Sequence, residues 1–176
     1  MLPNIRHLAP NPLKNKKLAL FSYIFLCVEG NLSTFILKNN FTHKNCNAMV
    51  TQVTEGVRVS VLTEYQPDYS SPLHAHYVFV YRIIIENQSP YTIQLMRRHW
   101  FVFDSNWMIK EVEGAGVRGK QVVIEPGQKH EYVSGCNLRT DIGKMYGYYL
   151  MRRLLDNKEF HVQIPQFTLI VPYRLN

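Results

Sequence analysis

Three glycines in the second half of the chain have the spacing of a phosphate-binding loop. Gly114, Gly116 and Gly119 form a G-x-G-x-x-G pattern, and Arg118 and Lys120 add positive charge beside them. In dinucleotide-binding folds such glycines follow a strand and open a helix, whose N-terminal amides face the phosphates. The pattern therefore indicates nucleotide chemistry only if a helix follows it.

The residues after the third glycine exclude that helix. Positions 120–128 read KQVVIEPGQ, which is a β-branched run followed by a Pro-Gly turn. We therefore expect the glycines to join two strands by adopting positive φ angles. A second interpretation stays open, in which consecutive loop amides form an anion-binding nest. Its residues would be Gly114, Gly116, Arg118, Gly119 and Lys120.

Two histidines offer a second kind of chemistry. His74 and His76 flank a single alanine, and in an extended chain residues at i and i+2 point to the same side. They could hold two corners of a divalent metal site, although the sequence supplies no third ligand at a recognisable spacing. Candidates for that third position are Asp68, His99, His130 and His161. Surface polar histidines are the simpler interpretation, and no cofactor is expected.

The segment Arg97–Trp100, RRHW, combines positive charge with an aromatic ring and could stack on nucleic acid. Strand alternation gives a simpler explanation, with Trp100 and Arg98 on one face and His99 and Arg97 on the other. Of the formal net charge of +7, +5 lies in the first 48 residues, so the remainder is nearly balanced. We therefore expect no nucleic-acid partner.

The sequence shows no grouping of catalytic residues. Ser134-Gly135 lacks the G-x-S-x-G elbow of hydrolases, and the acidic residues Glu113, Glu125 and Asp141 have no motif partner. We predict that the protein is not an enzyme.

The first 48 residues read differently from the rest. Lys16 and Lys17 precede the apolar run Leu18–Val28, which is too short to span a bilayer. It resembles a secretory signal without a cleavage site, a poorly ordered extension, or sequence read from too early a start codon. We favour the last interpretation, with Met49 as the true start, residues 49–176 as the domain, and no membrane contact.

The cysteines indicate a reducing compartment. Cys27, Cys46 and Cys136 are widely spaced and odd in number, which makes a disulfide framework or a cysteine-rich zinc site improbable. We therefore expect a cytoplasmic protein.

From Thr54 onward the sequence predicts seven or eight short strands separated by turn residues. One is expected at residues 107–113, after a reversal at Asp104-Ser105-Asn106, and a short one at residues 120–124. Strands at this spacing suit an all-β, two-sheet sandwich of the immunoglobulin or fibronectin type III kind, with a closed barrel as the alternative. Pro165 divides the last apolar stretch and predicts a bulge or a change of sheet. Alternation places Tyr146 and Tyr148 on one face of their strand and Tyr149 on the other, as a candidate contact surface.

Several dispersed motifs resemble, in order and spacing, the ApaG domain family. They are YVFVYRIIIEN at 77–87, RHW at 98–100, EGAGVRG at 113–119, PG at 126–127, YVSG at 132–135, MYG at 145–147 and FHVQIP at 160–165. The match begins near Thr54 and does not include residues 1–48. One departure is Val122, which stands where the family has a proline after the glycine loop.

The resemblance implies a fibronectin type III-like sandwich and no established catalytic reaction. Bacterial ApaG proteins are associated with cobalt and magnesium phenotypes and with diadenosine-tetraphosphate hydrolase genes. Eukaryotic relatives carry the domain in F-box proteins and in a polymerase-interacting protein. We therefore predict a non-catalytic protein–protein interaction module whose partner is another protein. The alternative is a module that binds a phosphorylated nucleotide or a divalent metal, through the glycine loop or the His74 and His76 pair.

Overall fold

The computed structural model describes residues 48–175, which form nine β-strands and three short 3-10 turns. The strands are β1 Val50–Thr54, β2 Val57–Tyr65, β3 Tyr77–Asn87, β4 Ile93–Asp104, β5 Ile109–Ala115, β6 Val123–Ile124, β7 Lys129–Leu138, β8 Ile142–Arg153 and β9 Glu159–Ile170. The 3-10 turns are Pro67–Tyr69, Pro72–His74 and Pro172–Arg174. The predicted extension at residues 1–48, apart from residue 48, lies outside the described residues.

The strands form two antiparallel sheets, as the sequence predicts. The first sheet has the order β1-β2-β3-β7, and the second has the order β5-β4-β8-β9 with β6 paired to β4. One face of each sheet is apolar, because side chains alternate with period two along a strand. In β2 the alternate residues Val57, Val59 and Val61 are at most 1% exposed. The molecule is therefore a β-sandwich with one core between its sheets.

Aromatic side chains fill the centre of this core. Trp100 of β4 contacts Tyr81 of β3 at 5.6 Å and Phe167 of β9 at 5.9 Å between ring centroids. Tyr149 of β8 meets the Trp100 ring edge-on at 6.4 Å. These contacts join the two sheets at mid-strand, so the outward side chains of β4 and β8 lie on a firmly packed layer.

Two strand boundaries differ from the sequence expectation. The last apolar stretch is one strand, β9. Its Phe167 pairs with Met145 of β8, and its Ile164 pairs with Gly147 of β8. Three steps along β9 therefore match two along β8, which confirms a bulge at Pro165. The other difference is Trp107, predicted to begin a strand, which lies in the turn before β5.

Strands β5 and β6 occupy the same edge of β4, one after the other. Residues 109–115 pair with β4 residues 97–103, and residues 123–124 pair with residues 93–94. The glycine loop is the excursion between them. No helix in residues 48–175 has the length and apolar character needed to cross a bilayer.

Candidate functional site

The glycine loop leaves the edge of β4 at Gly116 and returns at Val122. The Gly116 amide donates to the Met96 carbonyl at 2.9 Å, and the Leu95 amide donates to the Val122 carbonyl at the same distance. Gly116 has φ +49 and Gly119 has φ +77. The prediction that the glycines join two strands is confirmed, and no helix follows them. Positive φ angles are confirmed for Gly116 and Gly119 but not for Gly114, which lies within β5.

The loop amides are used within the chain. The amides of Val117 and Lys120 donate to each other's carbonyls at 2.9 and 3.0 Å, and the Gly119 amide donates to Ala115 at 3.2 Å. Arg118 donates from Nη2 to the Val133 carbonyl at 2.9 Å. Four of the five predicted anion-binding residues thus lie in one loop, while Gly114 lies in β5 beside it, and these amides do not converge on an external ligand as a nest requires.

The two loop histidines are not in an extended segment, so that assumption was wrong. His74 ends a 3-10 turn, and Ala75 after it is left-handed with φ +48. The Nδ1 atom of His74 lies 2.7 Å from the Ser71 hydroxyl, and burial lowers the pKa of His76. Within residues 48–175 no three His, Cys, Asp or Glu side chains are grouped as metal ligands would be. The structure therefore brings no third ligand to this pair.

The RRHW segment has the structural role that alternation predicts. Trp100 is 3% exposed in the core, while Arg97 forms an ion pair with Glu113 at 2.7 Å on the outer side. Arg98 donates from Nη1 to the Ala115 and Gly116 carbonyls at 3.2 and 2.8 Å. It therefore braces the glycine loop, and no phosphate ligand is needed to explain it.

Five rings line the outer face of the second sheet; we name them the outer aromatic row. They are His99 and Phe101 of β4, Tyr146 and Tyr148 of β8, and His161 of β9. The first four are half-buried and His161 is exposed.

The rings of the outer aromatic row contact one another in sequence. Phe101 stacks on Tyr146 at 5.1 Å and on His99 at 4.7 Å, and His99 stacks on Tyr148 at 5.0 Å between centroids. Tyr148 meets His161 edge-on at 4.8 Å. The result is a continuous aromatic surface across three strands, held on the side of the sheet away from the core.

Hydrogen bonds fix the middle of the row. His99 Nε2 bonds the Glu111 carboxylate, and His99 Nδ1 lies 3.1 Å from the Tyr148 hydroxyl. A carboxylate oxygen accepts, so Nε2 donates to Glu111, and the second ring nitrogen, Nδ1, is left to bond the Tyr148 hydroxyl. The orientation of both rings is therefore set before any partner arrives.

This hydroxyl–imidazole–carboxylate chain has the order of a nucleophile, a base and an orienting acid. Catalysis of acyl transfer also needs donors aimed at a developing oxyanion. Around Tyr148 the backbone amides belong to a strand paired on both sides, with β4 and with β9. Glu111 is also open to water, with 58% of its side chain exposed. The arrangement orders the rings of this surface.

Two arginines beside the row are paired with acids. Arg97 pairs with Glu113 at one flank, and Arg152 pairs with Glu159 at 2.8 Å at another. Binding of a nucleic acid displaces the counterions from its phosphates and requires cations that are free to replace them. Arg97 and Arg152 are already paired within the chain.

Three further ionisable groups stay protonated at neutral pH. The hydroxyls of Tyr132 in β7 and Tyr149 in β8 lie 2.6 Å apart in the core, and burial raises the pKa of both above the usual range. Burial also raises the pKa of the Cys136 thiol to about 12. Neither a phenolate nor a thiolate nucleophile is available there at neutral pH.

Comparison with known proteins identifies the family. The model of the ApaG domain matches residues 67–153. The ApaG protein of Brucella abortus strain S19 is 43% identical over 124 residues, which are 70% of this chain and 95% of that protein. This chain belongs to the ApaG family.

Other ApaG relatives give the same result. The ApaG protein of Methylocella silvestris is 40% identical over 127 residues, 71% of this chain and 95% of that protein. The crystal structure of a Bordetella pertussis protein described as ApaA superposes with a TM-score of 0.64 at 39% identity, and covers 66% of this chain and 94% of that one. The ApaG domain match includes the glycine loop and the β4 and β8 members of the outer aromatic row, whereas His161 lies beyond it.

Proposed function

We propose that this ApaG protein is a non-catalytic protein–protein interaction module whose contact surface is the outer aromatic row. The observation that supports this most directly is the position of the rings. A strand needs apolar side chains only on its core face, yet β4 and β8 also carry Phe101, Tyr146 and Tyr148 on the opposite face. Aromatic residues, tyrosine above all, are enriched at protein interfaces.

The row is suited to binding because it is pre-organised. Its rings stack at 4.7–5.1 Å, and the hydrogen bonds of His99 limit two of them to one orientation. Binding of a partner to such a surface costs little free energy for ordering the side chains of the surface. The ion pairs of Arg97 and Arg152 beside it support a protein partner over a nucleic acid.

The alternative is binding of a phosphorylated nucleotide or a divalent metal, and fewer observations support it. The loop amides donate internally, and the His74 and His76 pair has no third ligand among the described residues. Isothermal titration with diadenosine tetraphosphate, ATP and cobalt would test it. Saturable binding that Arg118→Ala, Lys120→Ala or His76→Ala abolishes would favour this alternative.

Site-specific photo-cross-linking tests the proposal in the cells that make the protein. A benzophenone side chain at position 148 should give an adduct with one partner, which is isolated under denaturing conditions and identified by mass spectrometry. The same group at position 82, on the outer face of the first sheet where Arg82 pairs with Glu131, is the control. Equal cross-linking from both positions, or none from position 148, would reject the proposal. The cytoplasmic location stays a prediction that the partner's identity would also test.

A further inference from the structure

The hairpin between β4 and β5 carries a tryptophan where the backbone favours glycine. The Asp104 amide donates to the Met108 carbonyl at 2.9 Å and the Trp107 amide donates to the Asp104 carbonyl at 3.0 Å, which closes a three-residue loop. Trp107 has φ +68. Loops of this kind need a left-handed residue before the second strand, and glycine fits there best.

The side chain of Trp107 makes few contacts that could offset its unfavourable backbone conformation. Trp107 is 86% exposed, and within the described part of the chain its ring contact is edge-on with Phe103, at 6.3 Å between centroids. A bulky residue at positive φ is uncommon, and strained conformations concentrate at binding and active sites. The side chain is held outward by a backbone that a smaller residue would fit more easily.

The tryptophan belongs to a larger apolar area. Met108 and Ile109 follow it and are 63% and 62% exposed, and these three residues form what we name the hairpin tip. Ile109 pairs across the sheet with Phe103, which lies two residues from Phe101 on the same face. The hairpin tip is therefore continuous with the outer aromatic row, and the two make one strip from the end of the sandwich to the middle of its second sheet.

The unpaired charges around the hairpin tip are positive. Lys110, Arg139 and Lys144 form no ion pair with any residue in 48–175, although Lys144 lies 5.3 Å from the centroid of the Phe103 ring. The nearby acids are already engaged. Asp104 accepts from the Arg139 amide at 2.6 Å, and Asp141 pairs with Arg174 at 2.7 Å.

We propose that the hairpin tip anchors an apolar and acidic segment of a protein partner, with Trp107 as the main contact. The carboxylates of the segment would lie opposite Arg139 and Lys144, while its apolar side chains cover the strip. This inference rests on the proposed interaction function and adds the chemistry of the partner. A protein segment fits better than a lipid bilayer, because a bilayer would reach the tip but not the sheet face that continues it.

Selection from a displayed library of random peptides, with the full chain as bait, tests this inference. The enriched peptides should combine acidic with aromatic or aliphatic residues, and added salt should weaken their binding. For a synthetic peptide from this set, Trp107→Gly should weaken binding by about thirty-fold or more. The same variant should melt at an equal or higher temperature, by up to roughly 4 °C, because glycine suits the left-handed position. The control is Leu155→Ser at the opposite end of the sandwich, where Leu155 is 77% exposed, and it should bind as the original protein does.

The remaining outcomes distinguish the Trp107 anchor from the proposed interaction function of the outer aromatic row. If Trp107→Gly binds the peptide normally while Tyr146→Ser with Tyr148→Ser does not, the anchor is wrong and the interaction surface stands. If no acidic and apolar peptides are enriched, or binding ignores salt, the assigned partner chemistry is wrong. Binding to vesicles of phosphatidylcholine and phosphatidylserine that needs Trp107, with no peptide enrichment, would show a membrane contact and overturn the inference.

Discussion

At the scale of single residues, Gly116 sets the shape of the glycine loop. A Cβ atom at this position would lie 2.0 Å from the Lys120 carbonyl oxygen, and φ is +49. Gly119 shares the positive φ, at +77, but an added Cβ would meet nothing within 4 Å. The two glycines therefore differ in packing while both take a conformation that disfavours other residues.

This difference gives a matched pair of substitutions. Gly116→Ala should lower the free energy of unfolding by about 3 kcal/mol or more, because a backbone clash is added to the unfavourable φ. Gly119→Ala should cost only about 1 kcal/mol, from φ alone. Urea unfolding of both variants measures the two values. Equal losses would mean that the loop does not hold Gly116 against Lys120.

The same geometry affects how ligand binding can be tested. A bulky residue at Gly116 would displace the loop whether or not the loop binds an anion. Substitutions of Arg118 and Lys120 are the informative ones, since Lys120 is exposed and Arg118 reaches the first sheet through a single hydrogen bond at 2.9 Å.

Single-residue features of the site were only partly predictable from the sequence. Alternation correctly separates Tyr149 from Tyr146 and Tyr148, but only the structure shows that Tyr149 is the one in the core. It cannot reveal that His99 lies beside Tyr148, because that contact depends on the register between β4 and β8, 49 residues apart in sequence. Trp107 was misplaced because Asp104-Ser105-Asn106 signals a reversal without fixing the number of residues in the turn.

At the scale of elements, a glycine controls how closely β4 and β8 approach. A Cβ atom on Gly147 would lie 2.0 Å from the His99 carbonyl oxygen, so only glycine allows the two strands this spacing. Gly147 lies between Tyr146 and Tyr148, and it pairs with Trp100, which lies between His99 and Phe101. The close approach therefore brings together four rings of the outer aromatic row.

We predict that Gly147→Ala lowers the free energy of unfolding by about 3 kcal/mol and changes the near-UV circular dichroism of the stacked rings. Gly135→Ala is the control, because Gly135 also lies within a strand but its added Cβ would meet its nearest neighbour, the Phe79 carbonyl, at 3.5 Å. It should change stability by less than about 1 kcal/mol. A Gly147→Ala protein as stable as the control would contradict the role given to this glycine.

The sequence identifies most strands but not their boundaries. Alternation predicts β2, which has nine residues, and a continuous run of β-branched and aromatic residues predicts β3, which has eleven. The stretch at residues 120–124 predicts a longer strand than the two residues of β6. The observed strand is short because residues 120–122 still belong to the return of the glycine loop. Local pattern carries no information about which neighbour an edge segment meets.

At the scale of the whole molecule, a buried hydrogen bond links the sheets near the site. The hydroxyl of Tyr132 in the first sheet and that of Tyr149 in the second are 2.6 Å apart. Removing one hydroxyl leaves the other without this partner in the core, which costs about 1–3 kcal/mol. Removing both leaves no unpaired group.

A double-mutant cycle tests this link. Tyr132→Phe and Tyr149→Phe should each destabilise the protein, and the double variant should lose less than the sum of the two by about 1 kcal/mol or more. The free energies of unfolding of the four proteins provide the coupling. Simple additivity would show that the two hydroxyls stabilise the sandwich independently.

The sandwich architecture follows from the sequence more securely than its surface does. Regular alternation requires two apolar sheet faces, and these can be buried only against each other. The function of an outer face depends on which side chains meet across strands distant in sequence. His161 of β9, 62 residues from His99 of β4, joins the outer aromatic row through Tyr148 and shows this most clearly.

The most direct test of the account is the affinity of the cross-linked partner for the protein with and without its outer aromatic row. Isothermal titration of that partner should give a dissociation constant about thirty-fold or more higher for Tyr146→Ser with Tyr148→Ser than for the original chain. The double variant should keep its far-UV circular dichroism, because both side chains lie outside the core. An unchanged dissociation constant in a folded double variant would contradict the claim that this face of the sheet is the binding surface.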